Sequence, residues 1–381
     1  MRPPNLYVVH TVGTLGVKAG GPSRTVPALC KSLACDAAQN IDIFTGVDLV
    51  FGQNVSLTEV GLHEFPLQPV QGWVRNLKTF IIAKKETGGT DLFILHDHGQ
   101  WLPINRASAI IGRNSDIPRI VTPRGMLSPW ALNHRRIKKT LAWYLFARRD
   151  IQSARVIHAT SDLEARELRA LGVRNPIAVI PNGVEQPSPE WLSRTKKKQV
   201  LFLSRLHPKK GISELVSAWR ALKLDDWTLV LAGPDESGIV DKLQLASHES
   251  IRWIGNVDGE EKWRLLSESS LFVLPSYSEN FGVVVAEALM AGTPVIATYG
   301  TPWESLIEKR CGWWIDMTPQ SLRLALDEAT QRSESELSEM GQRGREFACT
   351  SFGWPAIASQ MASVYRWTLG LGPAPDCMQF V

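Results

Sequence analysis

The segment SRLHPKKG (204–211) follows an apolar run and places Arg205 and Lys210 around the start of a helix. Two cations beside the exposed amides of a helix N-terminus suit a diphosphate, since fixed charges and N–H donors then converge on one anion. A solvated basic turn would carry the same residues. Further along, SYSENFGVVVAEALMAGTPVIAT (276–298) holds Glu279 and Glu287 with seven residues between them. Eight helical steps of 100° would leave them about 80° apart around the axis and about 12 Å apart along it. On one regular helix they would not meet at a single atom. With Glu279 in a loop and Glu287 inside the helix, they would touch different parts of one elongated ligand. The alternative is that Glu279 only adds negative charge ahead of the helix and Glu287 faces solvent. Val283, Val284, Val285, Ala286, Ala288 and Leu289 make Glu287 a poor candidate for a plain surface residue. The helix is expected from near Phe281 to Gly292, with Pro294 opening the next strand. Gly282 permits close approach of a ligand to the backbone, and the first-turn amides point outward from the helix start.

Side chains of this kind need strand-to-helix loops to hold them. In the first half, LYVVH (6–10), IDIFTG (41–46), LFILH (92–96), RIVTP (119–123), RVIHAT (155–160) and IAVIP (177–181) read as strands buried on both faces. In the second half, QVLFLS (199–204), WTLVLAG (227–233), IRWIGN (251–256), LFVLPS (271–276) and PVIAT (294–298) repeat the pattern. Helix-like segments between them force parallel crossovers, so the fold class is α/β with two doubly wound, Rossmann-like domains. PNGVEQPSPEWLSRTKKK (181–198) reads as the linker. The expected domains are 1–185 and 186–365, with a C-terminal helix and tail over 354–381 packing back on the first. Ligands of open α/β sheets bind at the carboxyl ends of the strands, which points to a deep cleft between the two domains.

A chain of 381 residues suits two cores, and 44% hydrophobic with 21% charged residues describes a soluble globular protein. No run of about 18 apolar residues offers a membrane span. The start, MRPPNLYVVHTVG, lacks the long apolar stretch and small-residue cleavage site of a secretory signal, which implies the cytoplasm. Cys30, Cys35, Cys311, Cys349 and Cys377 form no CxxC pair and read as reduced core thiols. There is no GxGxxG, no GxxxxGK[ST], no GxSxG and no zinc spacing, and no two aspartates lie two apart. No metal is expected.

The order SRLHPKKG, LVLAGP, WIGNV and LFVLPSYSENFGVVVAEALMAGTPVIAT resembles the C-terminal domain of retaining glycosyltransferases of family 4, which have the GT-B fold. GGPSR (20–24), HDHGQWL (96–102), TPRGML (122–127) and ATSDLEARELRALGV followed by IPNGV resemble bacterial members in the first half. The likeness covers roughly residues 5 to 365. It implies that Arg205 and Lys210 hold the donor diphosphate, Glu287 the nucleotide ribose and Glu279 the transferred sugar. The amides of Asn280, Phe281, Gly282 and Val283 would cradle phosphate or sugar. Gly255 would lie at the nucleobase pocket, and Gly20 and Gly21 where the first domain meets the diphosphate. His98 matches the family's cleft histidine better than His96, which reads as a satisfied core residue ending its strand. The reaction implied is transfer of a hexose-type sugar from a UDP or GDP sugar, with retention and without a metal or other cofactor.

The acceptor side falls to the first domain, where ten Lys or Arg and only two acids lie between Trp101 and Asp150. In NHRRIKKTLAWYLFARR (133–149), Ile137, Leu141, Tyr144 and Leu145 have the spacing of one helix face. Arg135, Arg136, Lys138, Lys139, Arg148 and Arg149 crowd the rest. Such a helix either packs on the core with a solvated cationic face or meets an anionic membrane or polyanionic acceptor. A glycan or lipid-linked acceptor in cell-surface polysaccharide or lipopolysaccharide assembly fits, at the inner face of the cytoplasmic membrane, with Arg124 lining its side and Trp101 either lining it too or belonging to the core. Nucleic acid fits less well, because exposed aromatics are not interleaved in a recognised module. A sugar-nucleotide epimerase of the same fold, or a silent scaffold in a glycan-assembly complex, would share the architecture. The scaffold would be expected to have lost Arg205, Lys210 or a glutamate, and all four are present.

Overall fold

The computed structural model describes residues 6–16, 20–35, 39–47, 59–88, 92–192, 194–222, 224, 226–245 and 249–381. The first residues of the N-terminal stretch, and Ser193 in the linker, lie outside that set. The chain forms two compact units, Met1–Gly183 with Trp354–Val381, and Val184–Gly353. The boundary thus falls at 183/184 rather than 185/186. Helix Trp354–Thr368 belongs wholly to the first unit, so residues 354–365 move out of the second domain. The reason is packing: Ile357, Ala358, Met361, Val364 and Tyr365 are buried in one core with Val26, Leu29 and Leu33 of helix Gly21–Cys35.

The first unit carries β1 (Leu6–Thr14), β2 (Gln39–Val47), β3 (Gly61–Pro66), β4 (Leu92–His98), β5 (Arg119–Thr122), β6 (Val156–Ala159) and β7 (Ile177–Val179). The second carries β8 (Lys197–Leu203), β9 (Thr228–Ala232), β10 (Ile251–Trp253), β11 (Ser269–Leu274), β12 (Val295–Thr298) and β13 (Gly312–Ile315). A last strand, β14 (Met378–Gln379), returns to the first sheet and pairs antiparallel with β7. All other pairings among the described residues are parallel, and the central strands are buried on both faces, whereas at the edge strand β10 only Ile251 is buried.

Strand order fixes where ligands can sit. The first sheet runs β14-β7-β6-β5-β4-β1-β2-β3, and the second β10-β9-β8-β11-β12-β13. In each, the chain winds outward one way and then crosses back to start on the other side. The reversal lies between β1 and β4 in one unit and between β8 and β11 in the other. Connections that leave such neighbours in opposite directions open a crevice at the strands' carboxyl ends. Gly20 and Gly21 follow β1, His98 closes β4, and Arg205, Lys210 and Glu279 follow β8 and β11, whereas Arg124 follows β5 and Gly255 follows β10.

The expected 133–149 helix is interrupted. Arg135 sits in the left-handed region at φ 58°, helix begins at Arg136, and Trp143–Ala147 is a π turn before Arg148–Gln152. Its apolar face does not pack on the core: Ile137 is 85% exposed, Tyr144 73%, Leu145 70% and Leu141 60%.

Candidate active site

The loops after β8 and β11 lie side by side in the second unit. The Tyr277 amide donates to the Lys209 carbonyl at 2.9 Å, which ties 204–211 to 275–282. Gly211, at φ 64°, makes this approach possible, since a Cβ there would stand 2.0 Å from the Pro275 carbonyl oxygen. Arg205 is exposed and, among the described residues, makes no ion pair. Lys210 pairs with Glu279, which also accepts from the Ser276 hydroxyl at 2.7 Å. Burial pushes the Glu279 carboxyl up, but the Lys210 charge and bond, the Ser276 bond and the Lys209 charge outweigh it and leave it below the usual range. Glu279 is therefore an ionised acceptor at neutral pH, and the Lys210 ammonium has further N–H donors for another anion.

Glu279 lies in the loop, and the helix begins at Val283, two residues later than the sequence suggests. Phe281 explains the delay, because its ring is buried against Trp303 and Phe352 and its carbonyl accepts from the Trp303 indole at 2.6 Å. Gly282 then turns the chain at φ 76° as the N-cap residue. The helix ends in a Schellman pattern, with the Thr293 amide on the Ala288 carbonyl and the Gly292 amide on that of Leu289, both at 2.9 Å. Val285, Ala286, Ala288, Leu289 and Met290 are fully buried, which leaves Glu287 as the helix's charged residue. It pairs with Lys262 at 2.6 Å, the two side chains 16% and 12% exposed. Each glutamate thus has its own lysine. Asn280 and Val283 adjoin the same turn, while Gly255 follows β10, beyond β9 from β8, at φ 75° with open space where a Cβ would be.

In the first unit, Gly20 (φ 78°) and Gly21 head helix Gly21–Cys35 after β1, and neither would bring a Cβ within 4 Å of other atoms. His98 closes β4 and is only 2% exposed. Its Nε2 is 2.8 Å from His10 Nδ1, and its Nδ1 accepts from Arg124 at 3.1 Å and 3.3 Å. Arg124, part-buried, also donates to Thr25 and Asn182, each at 3.1 Å, and burial lowers its guanidinium to about 10. Trp101, at φ 76°, donates from its indole to the Met126 carbonyl at 3.1 Å. Lys139 donates to the Ala131 carbonyl, whereas Arg135, Arg136 and Lys138 are exposed. His96 is fully buried and hydrogen-bonded on both ring nitrogens, to Tyr365 at 2.7 Å and Thr122 at 2.8 Å.

His10, His96 and His98 bring three ligand-type nitrogens within 4.8 Å of one another, a cluster that linear spacing did not reveal. Its ring nitrogens are engaged in hydrogen bonds, and the Arg124 charge lies against it, so the arrangement suits neutral imidazoles better than a cation. Burial first, then Arg124 and His158, lowers His10 to about 3, and burial lowers His158 to about 3 against the bond to the Ile180 carbonyl. The sequence did carry a signal: LYVVH, LFILH and RVIH each put a histidine in a strand of one parallel sheet, His10 and His96 in direct register. Lys262 was missed because GEEKW reads as an exposed helix start.

Residues 184–347 match the family model described as glycosyl transferases group 1, and residues 20–183 that described as glycosyl transferase 4-like domain. The chain belongs to the glycosyltransferases of this GT4 type, which have the GT-B fold. The glycogen synthase of Mycobacterium tuberculosis is 27% identical over 298 residues, covering 71% of this chain and 68% of that protein. The phosphatidyl-myo-inositol mannosyltransferase of the same species is 30% identical over 233 residues, 56% of this chain and 60% of its own length. The structure of Anabaena Alr3699/HepE in complex with UDP-glucose shares the fold, with a TM-score of 0.73 at 18% identity over 95% of this chain and 99% of that one.

Proposed function

We propose that this glycosyltransferase moves a hexose-type sugar from a UDP or GDP sugar, with retention and without a metal, to a glycan or lipid-linked acceptor. The observation that carries the reading is the β8/β11 crevice of the second unit, where Lys210 pairs with Glu279 ahead of the Gly282-headed helix and Arg205 lies exposed in the same β8 loop. As the bond from the sugar's anomeric carbon to the diphosphate breaks, negative charge grows on the leaving oxygen. Arg205 and the remaining Lys210 donors would meet it, together with the first-turn amides. Glu279, kept ionised, would accept from sugar hydroxyls. Glu287, with one oxygen on Lys262, would use the other for the ribose hydroxyls. The new bond would form on the face that the diphosphate leaves, the acceptor hydroxyl's proton passing to the leaving phosphate oxygen. The donors named for similar proteins support a nucleotide sugar, HepE being known in complex with UDP-glucose.

For the acceptor, the exposed apolar stripe Ile137, Leu141, Tyr144 and Leu145, among cations in a segment (133–149) that holds no acid, favours a lipid-linked glycan at an anionic membrane face. Among the described residues no helix is long and apolar enough to cross a membrane, so contact would be peripheral. Assembly of cell-surface polysaccharide or lipopolysaccharide at the cytoplasmic face fits such an acceptor. The test is turnover with a nucleotide sugar and a membrane extract. Arg205→Ala and Lys210→Ala should each remove most of it with the fold intact, and near-normal turnover in both would refute the assignment.

A further inference from the structure

We infer that Tyr365, on the C-terminal helix, is a positioning residue for His98, because its hydroxyl joins two halves of a one-directional hydrogen-bond chain that holds four histidines as Nε2-protonated rings. With the His158 ring neutral, as its burial favours, the order follows from donor inventory. At one end, the Arg124 guanidinium only donates, so His98 Nδ1 accepts and the neutral ring carries its proton on Nε2. That N–H donates to His10 Nδ1 at 2.8 Å, which leaves the His10 proton on Nε2, 3.4 Å from the Tyr365 oxygen. At the other end, the Ile180 carbonyl only accepts, so His158 donates from Nε2 at 2.8 Å and its Nδ1 accepts from the Thr122 hydroxyl at 2.9 Å. The Thr122 oxygen then accepts from His96 Nε2 at 2.8 Å, and His96 Nδ1 must accept from Tyr365 at 2.7 Å.

The two halves, fixed independently, meet on one oxygen that has to accept from His10 and donate to His96. A hydroxyl does both. The chain ends on a permanently charged guanidinium and a backbone carbonyl, neither of which passes on a proton, so it serves to hold rings rather than to conduct. Both His98 nitrogens are engaged, which gives that side chain a fixed place at the end of β4 instead of a role as a free base. The effect on catalysis rests on His98 being the cleft histidine that the family resemblance implies; the tautomers do not.

The experiment is two-bond 1H–15N correlation of the full chain labelled with 15N-histidine, assigned by single His→Gln variants, at pH 7. All four rings should show the neutral Nε2-H pattern. Tyr365→Phe keeps the ring volume and should alter the His10 and His96 signals, lowering kcat about tenfold with donor KM changed less than twofold. An Nδ1-H or doubly protonated ring among the four in the unsubstituted protein would overturn the chain. Unaltered His10 and His96 signals in the variant would do the same. Altered signals with unchanged kcat would overturn the positioning role and leave the donor site of the second unit untouched.

Discussion

Lowering the pH from 7 to 5.5 should destabilise the first unit through its buried histidines. His10 and His158 are held at about 3 in the fold, while in the unfolded chain each takes up a proton near 6.5. Between those values the proton binds the unfolded state and not the folded one, so stability is complete above 6.5 and falls as the pH drops toward 3. Integrating from pH 7 to 5.5 gives about 1.3 kcal/mol per histidine, or about 2.5 kcal/mol for the two. His96 and His98, lowered well below 6.5 by burial and neighbouring charge, act in the same direction. Asp97 and Glu164 act oppositely, because burial raises their carboxyls and the fold takes up those protons first as the solution acidifies. The comparison is therefore between the unsubstituted protein and His158→Gln, whose amide can still reach the Ile180 carbonyl. Urea midpoints would be followed through the backbone amide signals of β4 and β6 at pH 7 and 5.5. The unsubstituted protein should lose about 1.3 kcal/mol more than the variant over that range. Equal losses would refute a neutral His158 in the fold.

Two other perturbations test packing and surface. Gly211→Ala places a methyl group 2.0 Å from the Pro275 carbonyl at a left-handed φ, so it should cost about 2 kcal/mol or more in urea unfolding of the second unit. It should also weaken nucleotide-sugar binding, since the same contact sets the spacing of the β8 and β11 loops. Leu141→Asp with Tyr144→Asp should abolish flotation with phosphatidylglycerol-containing vesicles while leaving nucleotide binding intact, and unchanged flotation would exclude that face as the membrane contact.

What could be read in the sequence was what local pattern encodes. The eleven apolar runs became strands because burial on both faces requires continuous hydrophobicity. β3, β13 and β14 escaped notice: GLHEFP mixes charge into a part-exposed edge, GWWI is four residues long, and Met378–Gln379 pairs only because the last helix brings it back. Glu279 fell in its loop as the spacing implied, but its lysine and that of Glu287 differ in kind. Lys210 sits in a loop motif, whereas Lys262 is a helix residue whose partner is set by packing. The apolar face of 133–149 shows the limit of periodicity, which finds a helix face and not what covers it.

The central claim is that the second unit's crevice holds a nucleotide-sugar diphosphate on Arg205 and Lys210. Melting temperatures with UDP, GDP and ADP sugars, measured for the unsubstituted protein and Arg205→Ala, test it most directly. At about 100 times Kd, one of these donors should add about 2.7 kcal/mol, a rise of several degrees, and the rise should vanish in Arg205→Ala. No rise with any nucleotide sugar, or a full rise in the variant, would contradict it.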